Sequence, residues 1–552
     1  MEQEKMTAPV QENLSADTDT ALDSFLSREQ QPKKRKNKKG RGAGVMVLIA
    51  VLIAVAGLTA AIILINNAPY PESTSEEFVT VAAEVVATVN EASEHIAQVP
   101  TEADGQPVQN GEGTLIEYTP AELLEVRVER ADGQRFALEI AEAEDGTSVY
   151  NLVGYENYPL QTGAPDAVAN DAASLSFSTI ASVGGDPADF GLDAPRATVR
   201  VKYTDGTLSR LYIGAEAPAQ AGTYLSMGDT DTIYLVADDA VDSFLYTVND
   251  LISCVVTEAA DSVDTADLSR LTISGERYPE PIVMQMNTDT AVDYSYQLTS
   301  PRAGFADAIE SADIAGSIRD LYADAVAGVC APDQDLDSFL AGFGLTKSYA
   351  AITAEYPDTT VSLRCSAPDS DGNVYLVNAG GSYPGERIVY QLQLGVVSWA
   401  NTSQEKLVAD TILKVNKEAL TAMTVTADEQ TYDITVDTRT QTVDNTDGET
   451  EEVTTTEAYC DDKRLDTDGF SILYQNLAAL PNTRKAAQTS GSPVFEVTYA
   501  YSTGRERDNI CVYDSGAVTV NGTLVGATKP SYVKTLIQNI KDLTDGKLPE
   551  SL

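Results

Sequence analysis

A run of 22 uncharged residues, Gly44 to Ile65 (GVMVLIAVLIAVAGLTAAIILI), divides this chain before any other feature does. As a helix it would extend about 33 Å, enough for a bilayer core of about 30 Å. It is too long for the apolar part of a secretory signal, and 43 residues precede it where such signals have a short charged start. The expectation is a retained transmembrane helix over 43–66. Lys33, Lys34, Arg35, Lys36, Lys38, Lys39 and Arg41 crowd its N-terminal flank, while Asn66 to Glu77 holds no basic residue. The positive-inside rule then expects a single-pass anchor in the cell membrane, with a disordered basic tail at 1–42 in the cytoplasm and 67–552 extracytoplasmic. Within the tail, Ala21, Leu22, Phe25 and Leu26 could share one face of a short helix.

Charge sorts along the same division. Residues 1–42 hold nine basic and seven acidic residues, and 67–552 hold the remaining 28 basic and 77 acidic, a net of −49. Such an acidic body repels nucleic acid phosphates, so no nucleic acid partner is expected. Hydrophobic residues make up 43% of the chain, which points to a globular rather than a disordered ectodomain. There is one histidine, His95, so His-based catalysis and His-rich metal sites are nearly excluded. Ser73-Thr74-Ser75-Glu76 forms a capping-box pattern. Phe78, Ala82, Val85, Val89, Ala92 and Ile96 follow it as a helical stripe. These features, with the polar linker 98–113, make 67–119 a stalk and linker in which His95 is exposed and without role.

Beyond the linker the chain repeats at long period. Leu123-x-x-Val126-x-Val128 returns as Leu268-x-x-Leu271-x-Ile273 and as Leu420-x-x-Met423-x-Val425. A helical segment is expected next, with Ile180 and Val183 matching Val326 and Val329, then Leu477 and Leu480. Phe190-Gly191-Leu192 returns once, as Phe343-Gly344-Leu345. Val199-x-Val201-x-Tyr203 returns as Ile352-x-Ala354-x-Tyr356 and Val497-x-Tyr499-x-Tyr501. Their alternation makes half-buried strands that each lead into a turn. Two more strands are expected in the first copy, at Leu211–Ile213 and Tyr224–Val236. A closing helix is expected near 239–252, 396–412 and 530–543. The fold class is therefore α+β: a single N-terminal transmembrane helix, then three tandem α+β repeats with mainly antiparallel sheets, over 120–262, 263–416 and a divergent 417–552.

Residues 186–236 carry a resemblance. Gly191, Leu192, Asp193, Pro195, Asp205, Gly206, Ile213, Gly214, Gly222 and Tyr224 fit the pattern Gly-Leu-Asp-x-Pro, strand, Asp-Gly, strand ending Ile-Gly, then Gly-x-Tyr and a last strand. The chain here resembles the bacterial domain of unknown function 4340. The second repeat resembles it loosely, since Gly344-Leu345 lacks the Asp and Pro. The resemblance implies a membrane-tethered accessory protein associated with ABC-type exporters, whose permease or ATPase would be its partner. It carries over no catalytic residues.

A search for chemistry assigns no catalytic, cofactor-binding or metal residue and no cofactor, and the chain is not expected to be an enzyme. No phosphate-binding glycine loop occurs. Asp333-x-Asp335-x-Asp337 starts like a calcium loop but has Ser338 and Gly344 where that loop needs Gly and Glu. Asp369-x-Asp371-Gly372-Asn373 is also incomplete, and a turn or helix start explains both runs. The five cysteines, Cys254, Cys330, Cys365, Cys460 and Cys511, include no CxxC. Cys330 and Cys365 fall in one repeat, where a disulfide and two buried free thiols both fit the sequence. With 26 Tyr against 11 Phe, tyrosine is expected on half-exposed strand faces. Phe190 and Phe343 are expected to plug helix against sheet. The leading expectation is a non-enzymatic accessory or interaction subunit of an envelope complex. The alternatives are an extracytoplasmic carboxylate-dependent hydrolase and a surface module binding glycan or cation.

Overall fold

The computed structural model describes residues 111–552 apart from 144–146, 229, 265–266, 382–383, 445–449 and 485–487, and over 441–453 no side chain is described. The chain divides into Met1–Asn90 and Glu91–Leu552. The apolar run Gly44–Ile65, the basic cluster beside it, the stalk stripe and His95 all lie outside the described residues. Among the described residues no helix is long and apolar enough to cross a membrane.

Three mainly antiparallel sheets follow one another. In the first region a two-stranded ladder pairs β1 (Gly113–Glu117) with β5 (Ser174–Phe177). The first large sheet begins with a meander of β2 (Leu123–Arg130), β3 (Arg135–Glu142) and β4 (Ser148–Leu152). Helix α1 (Ala164–Ala173) and β6 (Thr179–Val183) come next. A second meander then runs β7 (Ala197–Tyr203), β8 (Leu208–Glu216), β9 (Thr223–Met227) and β10 (Thr232–Val236). The spatial order is β4-β3-β2-β7-β8-β9-β10-β6. A short helix, α2 (Val248–Leu251), leads out.

The second region repeats this plan. Its first meander is β11 (Arg270–Gly275), β12 (Tyr278–Met286), β13 (Tyr296–Ser300) and β14 (Gly304–Phe305). Helix α3 (Ala308–Gly316), β15 (Ala325–Val329) and α4 (Leu336–Gly342) precede the second meander. That is β16 (Ala350–Glu355), β17 (Thr360–Cys365), β18 (Asn373–Asn378) and β19 (Ile388–Gln393), with helix α5 (Gln404–Leu407) after it. The order is β14-β13-β12-β11-β16-β17-β18-β19-β15.

The third region has β20 (Leu420–Ala427), β21 (Gln430–Asp444), β22 (Thr450–Cys460), β23 (Lys463–Arg464) and α6 (Thr467–Ala478). Its second meander is β24 (Pro493–Tyr501), β25 (Asp508–Tyr513), β26 (Ala517–Val520) and β27 (Thr523–Ala527), closed by α7 (Pro530–Thr544). The order is β23-β22-β21-β20-β24-β25-β26-β27.

In each sheet the two meanders join through their first strands, and the same positions meet. Val126 faces Val201 and Val128 faces Val199. Leu271 faces Ala354 and Ile273 faces Ile352. Met423 faces Tyr499 and Val425 faces Val497. The odd Leu-x-x-apolar spacing that opens each motif also has a physical cause. A β-bulge lies between Leu123 and Glu125, and another between Leu420 and Ala422. One extra residue lets Leu123 and Val126 both face the core although period two would separate them.

The helix expected around Ile180 and Val326 is a strand in both places, β6 and β15. An i, i+3 apolar pair fits a helix face, but a ladder irregularity between Val326 and Gly328 lets a strand carry it too. The helices of these regions come earlier, and only Leu477 of the third pair is helical. The expected strand Tyr224–Val236 is two strands, β9 and β10, split by a turn. Near 239–252 and 396–412 the chain forms only short 3₁₀ turns with α2 and α5. Ser403 there accepts from Lys406 N–H and caps a new short helix, so the helix restarts instead of continuing. Near 530–543 the closing helix is a full one of 15 residues.

Tyrosine is not confined to half-exposed faces. Tyr203, Tyr234 and Tyr499 are among the largest fully buried side chains. Phe190 and Phe343, by contrast, are only partly buried. Phe190 lies edge-on to Tyr224 of β9, and Phe343 edge-on to Tyr375 of β18, the equivalent strand. Gly328 of β15 permits this approach, since a Cβ there would sit 2.6 Å from the Phe343 ring. Gly191 turns the chain at φ +67, where a Cβ would also meet Ala215 at 2.9 Å. Phe190→Ala is therefore expected to cost about 1–2 kcal/mol, well short of full-burial values, by urea unfolding.

One continuous core links the first two sheets, from Leu115 to Leu407. The third sheet has its own core, to which Val292 of the second region contributes. Limited proteolysis should cut first in the exposed stretch around Val263, which is 87% exposed. The fragments should stay together on a sizing column, because their cores are one. The stretch 413–418 should resist: Leu413 and Val415 are buried, Val415 bridges Val292, and Ile412 N–H donates to Leu480 O at 2.9 Å.

Candidate functional site

A cleft of about 950 Å³ opens where the first sheet passes into the second. Its floor is the connection after α2, Ser253 to Ala259, and its walls come from Tyr158, Arg319, the Asp358 turn, the end of β18 and Tyr390. Period-two strands bring these together by their ends, where turns and connections gather.

Arg319 dominates its electrostatics. The guanidinium donates to both Asp358 carboxylate oxygens at 2.8 and 3.0 Å and to Ala259 O at 2.9 Å. It also lies 5.0 Å from the centre of the Tyr356 ring. The hydrogen bond from Arg319 holds the Asp358 carboxyl below its ordinary range. Burial pushes the Tyr356 phenol up to about 12. A cation already held by a bidentate carboxylate, a carbonyl and an aromatic face is poorly placed to grip an anionic ligand.

The other polar groups of the cleft fasten the connection to the second sheet. Asn378 Nδ2 donates to Val256 O at 3.0 Å, and Tyr390 Oη to Val255 O at 3.1 Å. Thr257 Oγ1 donates to Ile318 O at 2.7 Å and accepts from Leu321 N–H at 3.1 Å. Tyr158 Oη, buried, reaches across to Cys330 O at 2.6 Å. This geometry makes a seam, held by hydrogen bonds within the protein.

A smaller cleft of about 420 Å³ lies where the second region meets the third, lined by Asn287, Asp289, Asp293, Tyr294 and Lys414 among others. Its charges are also paired: Lys414 with Asp293, and Asp289 with Arg505. Tyr294 stacks on Phe305 with ring centres 4.4 Å apart and shares a hydrogen bond with Thr411 Oγ1 at 2.9 Å.

The sequence-level candidates fall elsewhere. Asp335 caps α4, accepting from Ser338 N–H at 2.8 Å. Asp369 closes a turn by accepting from Asp371 N–H and Asn373 N–H, each at 2.9 Å. Among the described residues no three His, Cys, Asp or Glu side chains gather as a metal site would need. All five cysteines are free, so Cys330 and Cys365 are two buried thiols and not a disulfide. Burial pushes the Cys365 thiol up to about 12 and also raises Cys330, despite Arg387 beside it, so neither is an activated thiolate. The Arg319–Asp358 pair escaped sequence reasoning, because Asp358 reads there only as a turn residue.

Serial antiparallel sheets joined by hydrogen-bonded seams define an α+β protein. Residues 151–338 match the model of the family described as Domain of unknown function (DUF4340). It runs from β4 into α4 and encloses 186–236, whose residues carried the resemblance. No curated protein and no solved structure matches the chain.

Proposed function

We propose that this chain is a non-enzymatic, membrane-anchored extracytoplasmic protein, an accessory or interaction subunit of an envelope complex of the ABC-transporter kind. The observation that carries the reading is the 22-residue uncharged run Gly44–Ile65 with basic residues crowded on one flank only. Two further points support it. The family whose model matches 151–338 is the one whose resemblance implies tethered accessory proteins. The two clefts hold ion pairs and hydrogen bonds closed within the protein, which suits a scaffold better than a hydrolase or a cation-binding module. As part of this reading, the three sheets are copies of one unit, over 120–262, 263–416 and 417–552. A helix spanning 43–66 holds them outside the cytoplasm.

The test is purification of the tagged full chain from detergent-solubilised membranes, with reporter fusions at both ends. A permease and an ATPase should co-purify in fixed ratio. A reporter active only outside the cytoplasm should work after Leu552 and fail before Met46. Recovery of the chain in the soluble fraction, or an active outside reporter at the N-terminal end, would refute the anchor. Co-purification of glycan-degrading enzymes in place of a transporter would refute the accessory role.

A further inference from the structure

On the outer face of the first sheet three arginines stand side by side. Arg127 of β2 lies directly opposite Arg200 of β7, and Arg200 lies directly opposite Arg210 of β8. Buried residues flank each of them along its strand, so all three side chains leave on the side away from the core. Arg127 and Arg200 are exposed, and Arg210 is half-buried. Arg127 contacts Glu125 of its own strand at 2.5 Å. Arg200 is in no ion pair among the described residues.

The fold does not ask for this row. The same three positions hold Thr272, Thr353 and Ser362 in the second sheet, and Thr424, Thr498 and Asn509 in the third. There the neighbours bond to each other: Thr353 and Ser362 share a hydrogen bond at 3.4 Å, and Asn509 Nδ2 donates to Thr498 Oγ1 at 2.9 Å. Like charges directly opposite one another weaken a sheet, so the arginines are kept at a cost that the other two sheets avoid. Acids bound the row on both sides. Glu125, opposite Glu139 of β3, flanks one side, and Glu129 flanks the other. Past Arg127 the row continues to Ala137 of β3 and then to Val153, which is 42% exposed and whose N–H donates to Ala137 O at 2.9 Å. The face therefore carries a cationic lane one residue wide, closed by acids along its length and apolar at one end.

We propose that this lane receives a helix of another protein, lying across the strands, with carboxylates at i, i+3 and i+7 and an apolar residue near i+11. Side chains on neighbouring strands stand about 5 Å apart. Residues three and four apart on a helix face are about 5–6 Å apart, a matching step. Same-face residues of an extended segment are about 6.7 Å apart and overshoot the third arginine. At about 1.5 Å per residue, position i+11 falls between Ala137 and Val153 when i faces Arg210. Guanidinium forks suit carboxylates better than an ammonium does. A flat anionic bilayer is a poor occupant, since it would meet Glu125, Glu129 and Glu139 together with the arginines. A second copy of this chain is also a poor one, because a net charge of −47 opposes self-association. The inference goes beyond the transporter reading and stands whatever complex the chain joins.

The test uses the full chain in detergent and a labelled helical peptide on an alanine–glutamine host, with Glu at i, i+3 and i+7 and Leu at i+11, followed by fluorescence anisotropy. Saturable binding is expected, and it should weaken as salt rises. Moving the same three glutamates around the helix should weaken it about tenfold or more, which separates the lane from net charge. Arg127→Thr and Arg200→Thr combined, the pair that both other sheets carry, should weaken it by a similar factor while the urea midpoint stays level or rises. No saturable binding, equal binding of the rearranged peptide, or binding indifferent to the double variant would each overturn the proposal. A lower urea midpoint in that variant would make the arginines structural and overturn it too. So would inorganic polyphosphate binding to the row more tightly than the peptide at matched charge, or a dimer in sedimentation that the double variant dissolves.

Discussion

Arg505→Ala is expected to lower the stability of the folded chain by about 3–5 kcal/mol, the range for breaking one side of a buried ion pair. Arg505 Nε donates to Asp508 at 2.6 Å, and the Asp508 side chain is only 3% exposed. Asp508 also accepts from Tyr501 Oη and Asn521 Nδ2, each at 2.8 Å. Removing the guanidinium leaves a carboxylate buried among groups that cannot neutralise it. Arg505 also pairs with Asp289, so the same change loosens the join between the second and third regions. Arg505→Lys should recover only part of the loss, since an ammonium cannot make the forked contact to both acids. Trp399, the single tryptophan and fully buried in the second region, reports unfolding there by fluorescence. A loss under 1 kcal/mol would mean that water reaches Asp508. The interlock also carries a pH dependence. Burial opposes ionisation of Asp289, but hydrogen bonds from Ala291 N–H and Arg505 outweigh it and hold the carboxyl below its ordinary range. Its folded value is depressed, so its contribution is present above the ordinary carboxylate range and fades as pH falls through the folded value.

That interlock was hidden in the sequence, and the reason is instructive. The paired strands were legible because strand pairing reuses a local pattern. Val199-x-Val201 and Val497-x-Tyr499 meet their partners at equivalent positions, so a period found along the chain becomes a register in space. The match of 151–338 to its family model was legible for a similar reason: Gly191 and Gly206 sit at positive φ, a local backbone demand that leaves a visible residue. Tertiary pairings leave no such mark. Arg505 and Asp289 are 216 residues apart, and neither lies in a motif. Where β15 was expected as helix, the apolar spacing fitted both periods, and the deciding irregularity, one extra residue in β15, shows only in its pairing with β19.

Alkaline pH is expected to destabilise this protein more steeply than its acidic composition suggests. Burial pushes the phenols of Tyr294 and Tyr356 up to about 12. Tyr203, Tyr390, Tyr499 and Tyr501 are raised further, again chiefly by burial, and in Tyr501 the hydrogen bond to Asp508 adds to it. The unfolded chain ionises its tyrosines near the ordinary value of about 10, while the folded chain keeps these neutral. The unfolded state therefore binds fewer protons above that pH. The stability these groups carry is whole below about pH 10 and falls as pH rises toward the folded values. At roughly 2–3 kcal/mol for each two-unit shift, two such residues are enough to threaten a domain of ordinary stability. Urea unfolding at stepped pH, with phenolate absorbance followed in parallel, should show ionisation and unfolding arriving together. Tyr356 isolates the cause. It is 7% exposed, and its hydroxyl makes no hydrogen bond among the described residues. Tyr356→Phe should then leave neutral-pH stability unchanged or slightly higher, because a buried, unpartnered hydroxyl is removed. It should also flatten the alkaline loss by about one tyrosine's share. If the variant tracks the parent chain at every pH, ionisation of buried phenols is not what unfolds the protein.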